Sequence, residues 1–317
     1  MSNEFDFIEW IRAQQKPSDL VCLGIGDDLA ALNWPKDDLL LVGVDQVLDG
    51  VHFDSKAHSP RAIGRKAMNR NLSDCAAMGC LPAAAVVTVA LPKGVGDAYA
   101  KELFLGMKEA GEAFGAPIVG GDTSSWAGKL VVTVTILGRS GGVEPMTRSG
   151  AKPGDLIYVT GPLGGSLLGR HMTFSPRVEE GRMLAKSGLF SSMIDLSDGL
   201  SRDLRQICRA SGVGAVIDAA KIPIHEDAID MRRDGHSPLE HALHDGEDYE
   251  LLFTANSDGT PADIGSIGQM GETPIIMASL QARSVLIGAI ISEPGIWLYQ
   301  QDGSREPLEP KAWEHTF

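Results

Sequence analysis

At 317 residues the chain is long enough for two domains of ordinary size, each with its own core. Its 43% hydrophobic and 22% charged residues describe a soluble globular protein, and a formal net charge of −14 argues against a nucleic-acid backbone or an anionic membrane as partner. No apolar stretch approaches the length of a membrane span and the start MSNEFDFIEWIR carries no secretory pattern, so a cytoplasmic protein is expected. In chain order, an amphipathic helix is predicted over residues 4–15 with Phe5, Ile8, Trp10 and Ile11 on its apolar side. An apolar segment at 21–24 then enters the turn Gly24-Ile25-Gly26-Asp27-Asp28. Residues 39–44 are a continuous apolar run, expected as a strand buried on both faces that ends at Asp45, and His52 follows in the loop Gly50-Val51-His52-Phe53. The stretch 62–82, AIGRKAMNRNLSDCAAMGCLP, reads as a helix stopped by Gly79, with Asp74 set in alanine-rich surroundings where a carboxylate needs a strong partner. Next come a valine-rich strand at 84–91 and a helix capped by Asp97 that runs to Phe114, with Leu103, Phe104 and Met107 inward and Gly115 closing it. Ile118-Val119 is expected to enter a Gly120-Gly121-Asp122 turn before a strand at 130–137.

Residues 141–145, Gly-Gly-Val-Glu-Pro, read as a linker. Beyond them the pattern gives a strand at 156–160, a turn at Gly161-Pro162-Leu163-Gly164-Gly165 and a helix over 176–187. Met193-Ile194 leads into Asp195-Leu196-Ser197-Asp198, followed by a helix over 199–211 stopped by Gly212, and a strand at 213–217. The acidic run Asp245–Glu250 precedes a strand at 251–254, residues 255–283 have no clear period, and strands at 285–291 and 296–299 close the chain. Strands alternating with helices predict an α/β or α+β architecture in two parts. The four cysteines (Cys22, Cys75, Cys80 and Cys208) lack zinc-ligand spacing and are expected as free thiols.

Aspartates recur at the ends of several ordered segments, which is the donor set a hard cation such as Mg²⁺ requires. No GxxxxGK[ST] loop, protein-kinase signature or Ser–His–Asp pattern is present. Carboxylates beside glycine-rich segments suit phosphoryl transfer, which is mostly positioning and charge neutralisation.

The motifs GIGDD, VDxVxxGVHF, NLSDxAAMG, GGDT, RSGAKPGD, IDLSDGL and GEDYELLFT occur in this order over nearly the whole chain. Together they resemble the thiamine-monophosphate kinase family, part of the ATP-binding superfamily of aminoimidazole ribonucleotide synthetase, selenophosphate synthetase and a hydrogenase maturation factor. The resemblance implies an α/β (α+β) two-domain fold, with residues 1–140 as an ATP- and metal-binding domain whose sheet forms a homodimer interface. Residues 146–317 would complete the nucleotide and substrate site. It further implies transfer of the ATP γ-phosphate to thiamine monophosphate, assisted by several Mg²⁺ ions and needing no protein general base. By the same resemblance the metal ligands are Asp28, Asp45, Asp74, Asp122, Asp195 and Asp198, and Val44, lacking a hydroxyl, can offer a cation only its backbone oxygen. Gly121, Asp122, Arg148, Ser197 and Phe104 are the ATP contacts, and His52, Glu247 and Trp313 the substrate contacts.

The chain departs from the family pattern at four places. Gly43-Val44 stands where a hydroxyl residue is usual, and Ser124-Ser125-Trp126 stands where an arginine follows the GGD motif. Phe104 replaces a tyrosine, and the loop 161–169 has its own sequence. Two alternative readings stay open on the sequence: another superfamily enzyme acting on a different phosphorylated substrate, and a nucleotide- or metal-binding homologue with weakened catalysis.

Overall fold

The computed structural model describes residues 4–25, 29–256, 284–300, 302–309 and 311. The chain divides into two compact units. The first comprises the residues up to Cys75 together with Cys80–Glu144 and Met172–Val178, and the second comprises Ala76–Gly79, Pro145–His171 and the residues from Glu179 onward.

The first unit begins with helix α1 (Glu4–Ala13) and the short antiparallel pair β1 (Val21–Leu23) and β2 (Ala31–Leu32). Its main element is a sheet of β3 (Leu40–Leu48), β4 (Leu81–Pro92), β5 (Ile118–Trp126) and β6 (Val131–Arg139) in the order β3-β6-β4-β5, so β3 and β5 are the outer strands. Helices α2 (Pro60–Met78) and α3 (Asp97–Ala113) connect these strands. On β6 every second residue is buried, with Val132, Val134 and Ile136 forming the inner face. The same alternation decides β3, where Leu40, Val42 and Val44 are 54%, 62% and 62% exposed while Gly43 and Asp45 are partly covered. The expectation of a strand buried on both faces is therefore wrong: one face of an apolar strand is covered and the other is open. The strand also runs on through Asp45 to Leu48.

Helix α2 buries Ile63, Ala67, Met68, Leu72 and Cys75, and ends at Gly79, whose φ of +61° is the left-handed value that closes a helix without Cβ strain. Its contact with α3 runs through two glycines. A Cβ on Gly64 would lie 2.1 Å from the Leu103 carbonyl oxygen, and one on Gly106 would lie 2.0 Å from that of Arg61. The two backbones touch here because neither position carries a side chain. Gly106→Ala is expected to lower the unfolding free energy by about 1–3 kcal/mol despite alanine's better helix propensity. Gly120→Ala, where a Cβ meets nothing within 4 Å, is the comparison and should shift stability by less than about 0.5 kcal/mol. Urea denaturation of both variants checks this. The N-terminus of α3 also differs from expectation: Gly96, with φ +80°, is the cap and offers no side-chain acceptor, while Asp97 lies inside the first turn and pairs with Lys101 at 2.7 Å.

The second unit is built on a seven-stranded sheet of the described residues, in the order β13-β12-β9-β11-β7-β10-β8. Its strands are β7 (Leu156–Val159), β8 (Phe190–Asp195), β9 (Gly214–Asp218), β10 (Leu251–Ala255), β11 (Val285–Ile291), β12 (Ile296–Tyr299) and β13 (Arg305–Pro307). All neighbours are antiparallel except β12 and β9. Helix α4 (Val178–Ser187) precedes β8, and α5 (Leu200–Ser211) buries Leu200, Leu204 and Ile207 against Ile194, Ile217 and Leu252. Gly212, at φ +69°, stops α5. Sequence periodicity missed α6 (Glu226–Asp230) and α7 (Pro238–His244). The signal for α7 was present: Ser237 and Glu240 form a capping box around Pro238 at the first helical position.

Candidate active site

In the first unit, β3 ends at the loop that carries His52, and that loop is tied down on three sides. The His52 N–H donates to the Leu48 carbonyl at 3.0 Å, and the Leu48 N–H donates back to His52 Nδ1 at 3.0 Å. A backbone N–H is always a donor, so Nδ1 is the acceptor and the ring proton of the neutral imidazole sits on Nε2. The His52 carbonyl in turn accepts from Lys66 Nζ at 2.6 Å, from a lysine on α2 with no exposed surface.

Asp45 and Gly43 share the helix-facing side of β3, because alternate strand residues share a face. Asp74 reaches the same place from α2: a Cβ built on Gly43 would lie 3.6 Å from Asp74 Oδ2 and 3.3 Å from Ile136 Cγ2. Asp45 also accepts from Arg70 Nε at 3.3 Å. Two carboxylates on one face, Asp74 beside Gly43 and Asp45 two residues along β3, suit a hard divalent cation as part of its oxygen shell. Among the described residues no cluster of three or more His, Cys, Asp or Glu side chains gathers, so water and phosphate oxygens would supply the rest, as Mg²⁺ commonly accepts.

Asp122 is placed differently. The expected turn at Gly120-Gly121-Asp122 is instead the middle of β5, paired in parallel with β4 through Val87–Gly121 and Thr88–Asp122. Following the pairs across the sheet, Gly121 lies in the row of Val87, Val134 and Asp45, and Asp122 in the row of Thr88, Thr133 and Gln46. Asp45 and Asp122 therefore point to opposite faces from opposite outer strands, three strand spacings or roughly 14 Å apart. Gly121 is needed for the pairing itself, since a Cβ there would lie 2.0 Å from the Val87 carbonyl oxygen.

Gly121 and Asp122 border a cavity of about 670 Å³ between α1, α3 and strands β4 and β5. Its walls are mostly apolar, among them Ile8, Val89, Leu103 and Met107, with Phe104 on the α3 side. A cavity of this size with apolar walls and a few polar groups at its rim suits a nucleoside-sized ligand.

In the second unit, Asp195 ends β8 and is 5% exposed, whereas Ser197 is half-buried and Asp198 exposed. Asp198 pairs with Arg202 at 3.4 Å. Its N–H donates at 3.0 Å to Asp203 Oδ2, a carboxyl that burial, with Asp195 and Asp198 nearby, pushes well above the usual aspartate range. The Ser197 carbonyl accepts the Glu247 N–H at 2.8 Å, so the loops of two expected site residues are bonded to each other. Glu247 holds φ +53°, a left-handed conformation that a β-carbon makes costly, and its side chain pairs with His171 Nδ1 at 3.0 Å. Arg148 is exposed on the segment before β7.

The glycine loop 161–165 binds the protein's own carboxylates. The Gly164 N–H donates to Asp248 Oδ1 at 3.0 Å and the Gly165 N–H to Asp245 Oδ2 at 2.9 Å, both glycines at positive φ. Asp248 is held by Arg170 at 3.0 Å, and its burial raises the carboxyl pKa to about 7 against the lowering by that guanidinium. Asp28 and Trp313 lie outside the described residues.

Two family models cover most of the chain: AIR synthase related protein, N-terminal domain, over residues 26–140, and AIR synthase related protein, C-terminal domain, over 168–260. The thiamine-monophosphate kinase of Rhodopirellula baltica is 38% identical over 321 residues, covering 98% of this chain and 97% of that one. The chain belongs to the thiamine-monophosphate kinase family. The Escherichia coli thiamine-monophosphate kinase is 35% identical over 314 residues, covering 92% and 91% of the two chains. The fold agrees with solved members of the family. The thiamine-monophosphate kinase of Stenotrophomonas maltophilia superposes with a TM-score of 0.78 at 30% identity, over 95% of this chain and 97% of that one. AaThiL complexed with AMPPCP and TMP superposes with a TM-score of 0.74 at 28% identity, over 99% and 97%. The two-domain fold of AIR synthase relatives expected from the motifs is thus the fold of this thiamine-monophosphate kinase family member.

Proposed function

We propose that the protein transfers the γ-phosphoryl group of ATP to thiamine monophosphate, giving thiamine diphosphate and ADP in one direct step. The observation that carries this reading is the cavity in the first unit: Gly121 and Phe104, which the family resemblance assigns to the nucleotide, both border it, with Asp122 next along the strand at its edge. Phe104 offers a flat apolar surface to the base, and loses only the hydroxyl of the usual tyrosine. The acceptor phosphate is ionised near neutral pH and serves as its own nucleophile, so no protein base is required. His52 Nε2–H is a suitable donor to a phosphate oxygen, with the Leu48 N–H fixing the ring and Lys66 holding the His52 carbonyl. Arg148 and Ser197 are the proposed phosphate contacts, Glu247 a substrate contact, and Trp313 the aromatic face for the cationic heterocycle.

Mg²⁺, when bound, neutralises charge on the phosphate oxygens. In this proposal several ions are held: Asp45 and Asp74 with the Val44 carbonyl serve one, Asp122 on the far strand serves another, and Asp28, Asp195 and Asp198 are further ligands. A homodimer in the cytoplasm is proposed as the working form. The open face of β3, with Leu40, Val42 and Val44 more than half exposed, is the apolar surface a second copy would cover.

The test is incubation with ATP, Mg²⁺ and thiamine monophosphate, following ADP and thiamine diphosphate. Phosphate appearing on the protein during turnover would contradict direct transfer, and ADP formed only with another phosphorylated acceptor would move the enzyme elsewhere in the superfamily. Trp313→Ala is expected to raise KM for thiamine monophosphate about tenfold with little change for ATP. Equal effects on both substrates would remove Trp313 from the site.

A further inference from the structure

Arg70 places a permanent positive charge where the proposed metal site needs a cation. It lies on α2 one turn before Asp74, and residues four apart on a helix stand on the same side with Cβ atoms roughly 5–6 Å apart. Its Nε donates to Asp45 Oδ2 at 3.3 Å, with the Arg70 side chain 15% and the Asp45 side chain 31% exposed. Asp74 Oδ2 lies beside Gly43, two residues before Asp45 on the same face of β3. The guanidinium thus stands against Asp45, on the helix face that also carries Asp74, and unlike a lysine or histidine it does not lose its charge by titration.

We propose that Arg70 is a built-in counter-ion for Asp45 which a divalent metal must displace, so that it lowers the metal affinity of this strand end. The proposal rests on the reading of Asp45 and Asp74 as metal ligands. A guanidinium and a dication cannot both sit against one half-buried carboxylate without strong repulsion. Asp45 released from the guanidinium is therefore a better ligand than the paired one. The long side chain allows the exchange, because turning the guanidinium away leaves the backbone of α2 in place. Removing the charge while keeping the apolar stem should then strengthen metal binding, whereas an Arg70 that merely braces the site would weaken it on removal.

The experiment is Mn²⁺ binding to the nucleotide-free protein, read by the electron paramagnetic resonance of free Mn²⁺, in the wild type and in Arg70→Met, Arg70→Gln, Asp45→Asn and Arg70→Met/Asp45→Asn. Arg70→Met and Arg70→Gln are expected to tighten binding by roughly two- to fivefold, the scale of a partly exposed ion pair. The gain should vanish in the Asp45→Asn background, because the charge acts through that carboxylate. Circular dichroism melting of each variant separates a folding defect from a binding effect, and Arg70→Gln provides a second route should Arg70→Met fold poorly. Unchanged or weaker Mn²⁺ binding in both folded Arg70 variants, with Asp45→Asn weakened, would overturn the role of Arg70 and leave the metal site standing. Mn²⁺ binding unaffected by Asp45→Asn would overturn the metal assignment and the proposal with it.

Discussion

Asp45→Asn is expected to reduce turnover by about 10²- to 10³-fold while leaving the fold intact, the scale seen when one preorganised electrostatic contact to a reacting group is lost. The side chain is about one-third exposed and stands on an outer strand, so an isosteric amide costs the sheet little. Asp74→Asn should act similarly. The double variant should fall far short of the product of the two, since both carboxylates reach the same face of β3 beside Gly43. Val44→Thr should change turnover little: its side chain lies on the open face of β3, away from the carboxylates, and its carbonyl is unaffected. ADP formation across a Mg²⁺ titration checks all four variants. Near-normal turnover in Asp45→Asn would sink its assignment, and a large gain in Val44→Thr would mark this chain as a weakened member of the family.

The second large effect is on stability and depends on pH. Arg170→Met leaves Asp248 buried with its hydrogen bonds from the Gly164 N–H but no guanidinium. Breaking a buried ion pair from one side costs about 3–5 kcal/mol, and the partly exposed Arg170 puts the expected value near about 3 kcal/mol at pH 8.5. The sign with pH follows from the wild-type carboxyl, whose folded pKa of about 7 lies above the ordinary value of 3.8. An acid raised in the folded state contributes stability that is fully present below its unfolded pKa and lost as pH rises through the folded one. Below about pH 7 the wild-type Asp248 already carries its proton and gains little from Arg170, so the loss in Arg170→Met should shrink on going from pH 8.5 to pH 5.5. Urea unfolding at the two pH values measures this, and an equal loss at both would show that Arg170 acts through packing or through Asp227 instead.

The elements legible in the sequence were those with a strong local cause. The α2 helix, its stop at Gly79, the α5 helix and its stop at Gly212 follow from apolar spacing ended by a residue that tolerates positive φ. The strands at 84–91, 130–137, 251–254 and 285–291 were visible as runs rich in branched residues, and the first three extend past an expected end by one to three residues where pairing continues. Less legible were α6 and the edge strand β13: one is five residues long and the other three, too short to show a period. Lys66 was missed as a support of the His52 loop because a lysine on a helix is read as exposed, and only the packing shows it buried and aimed at a carbonyl.

Sequence by itself determined the family and supplied the candidate site residues, because ordered motifs such as NLSDxAAMG and GEDYELLFT need no knowledge of contacts to be matched. Only the tertiary structure decided how those residues stand to one another. A glycine pair before an aspartate reads as a turn, yet Gly120-Gly121-Asp122 is a strand, because cross-strand hydrogen bonds to β4 outweigh glycine's local freedom and the close approach of Val87 leaves no room for a Cβ. An apolar run at 39–44 gives no sign of which face is covered, and the sheet order left one face of β3 open by making it an outer strand. The same order and register bring Asp45 to Asp74 and Arg70, and set Asp122 on the far strand and the opposite face. Such relations depend on strand pairing between residues far apart in the chain, a long-range property that no local pattern encodes.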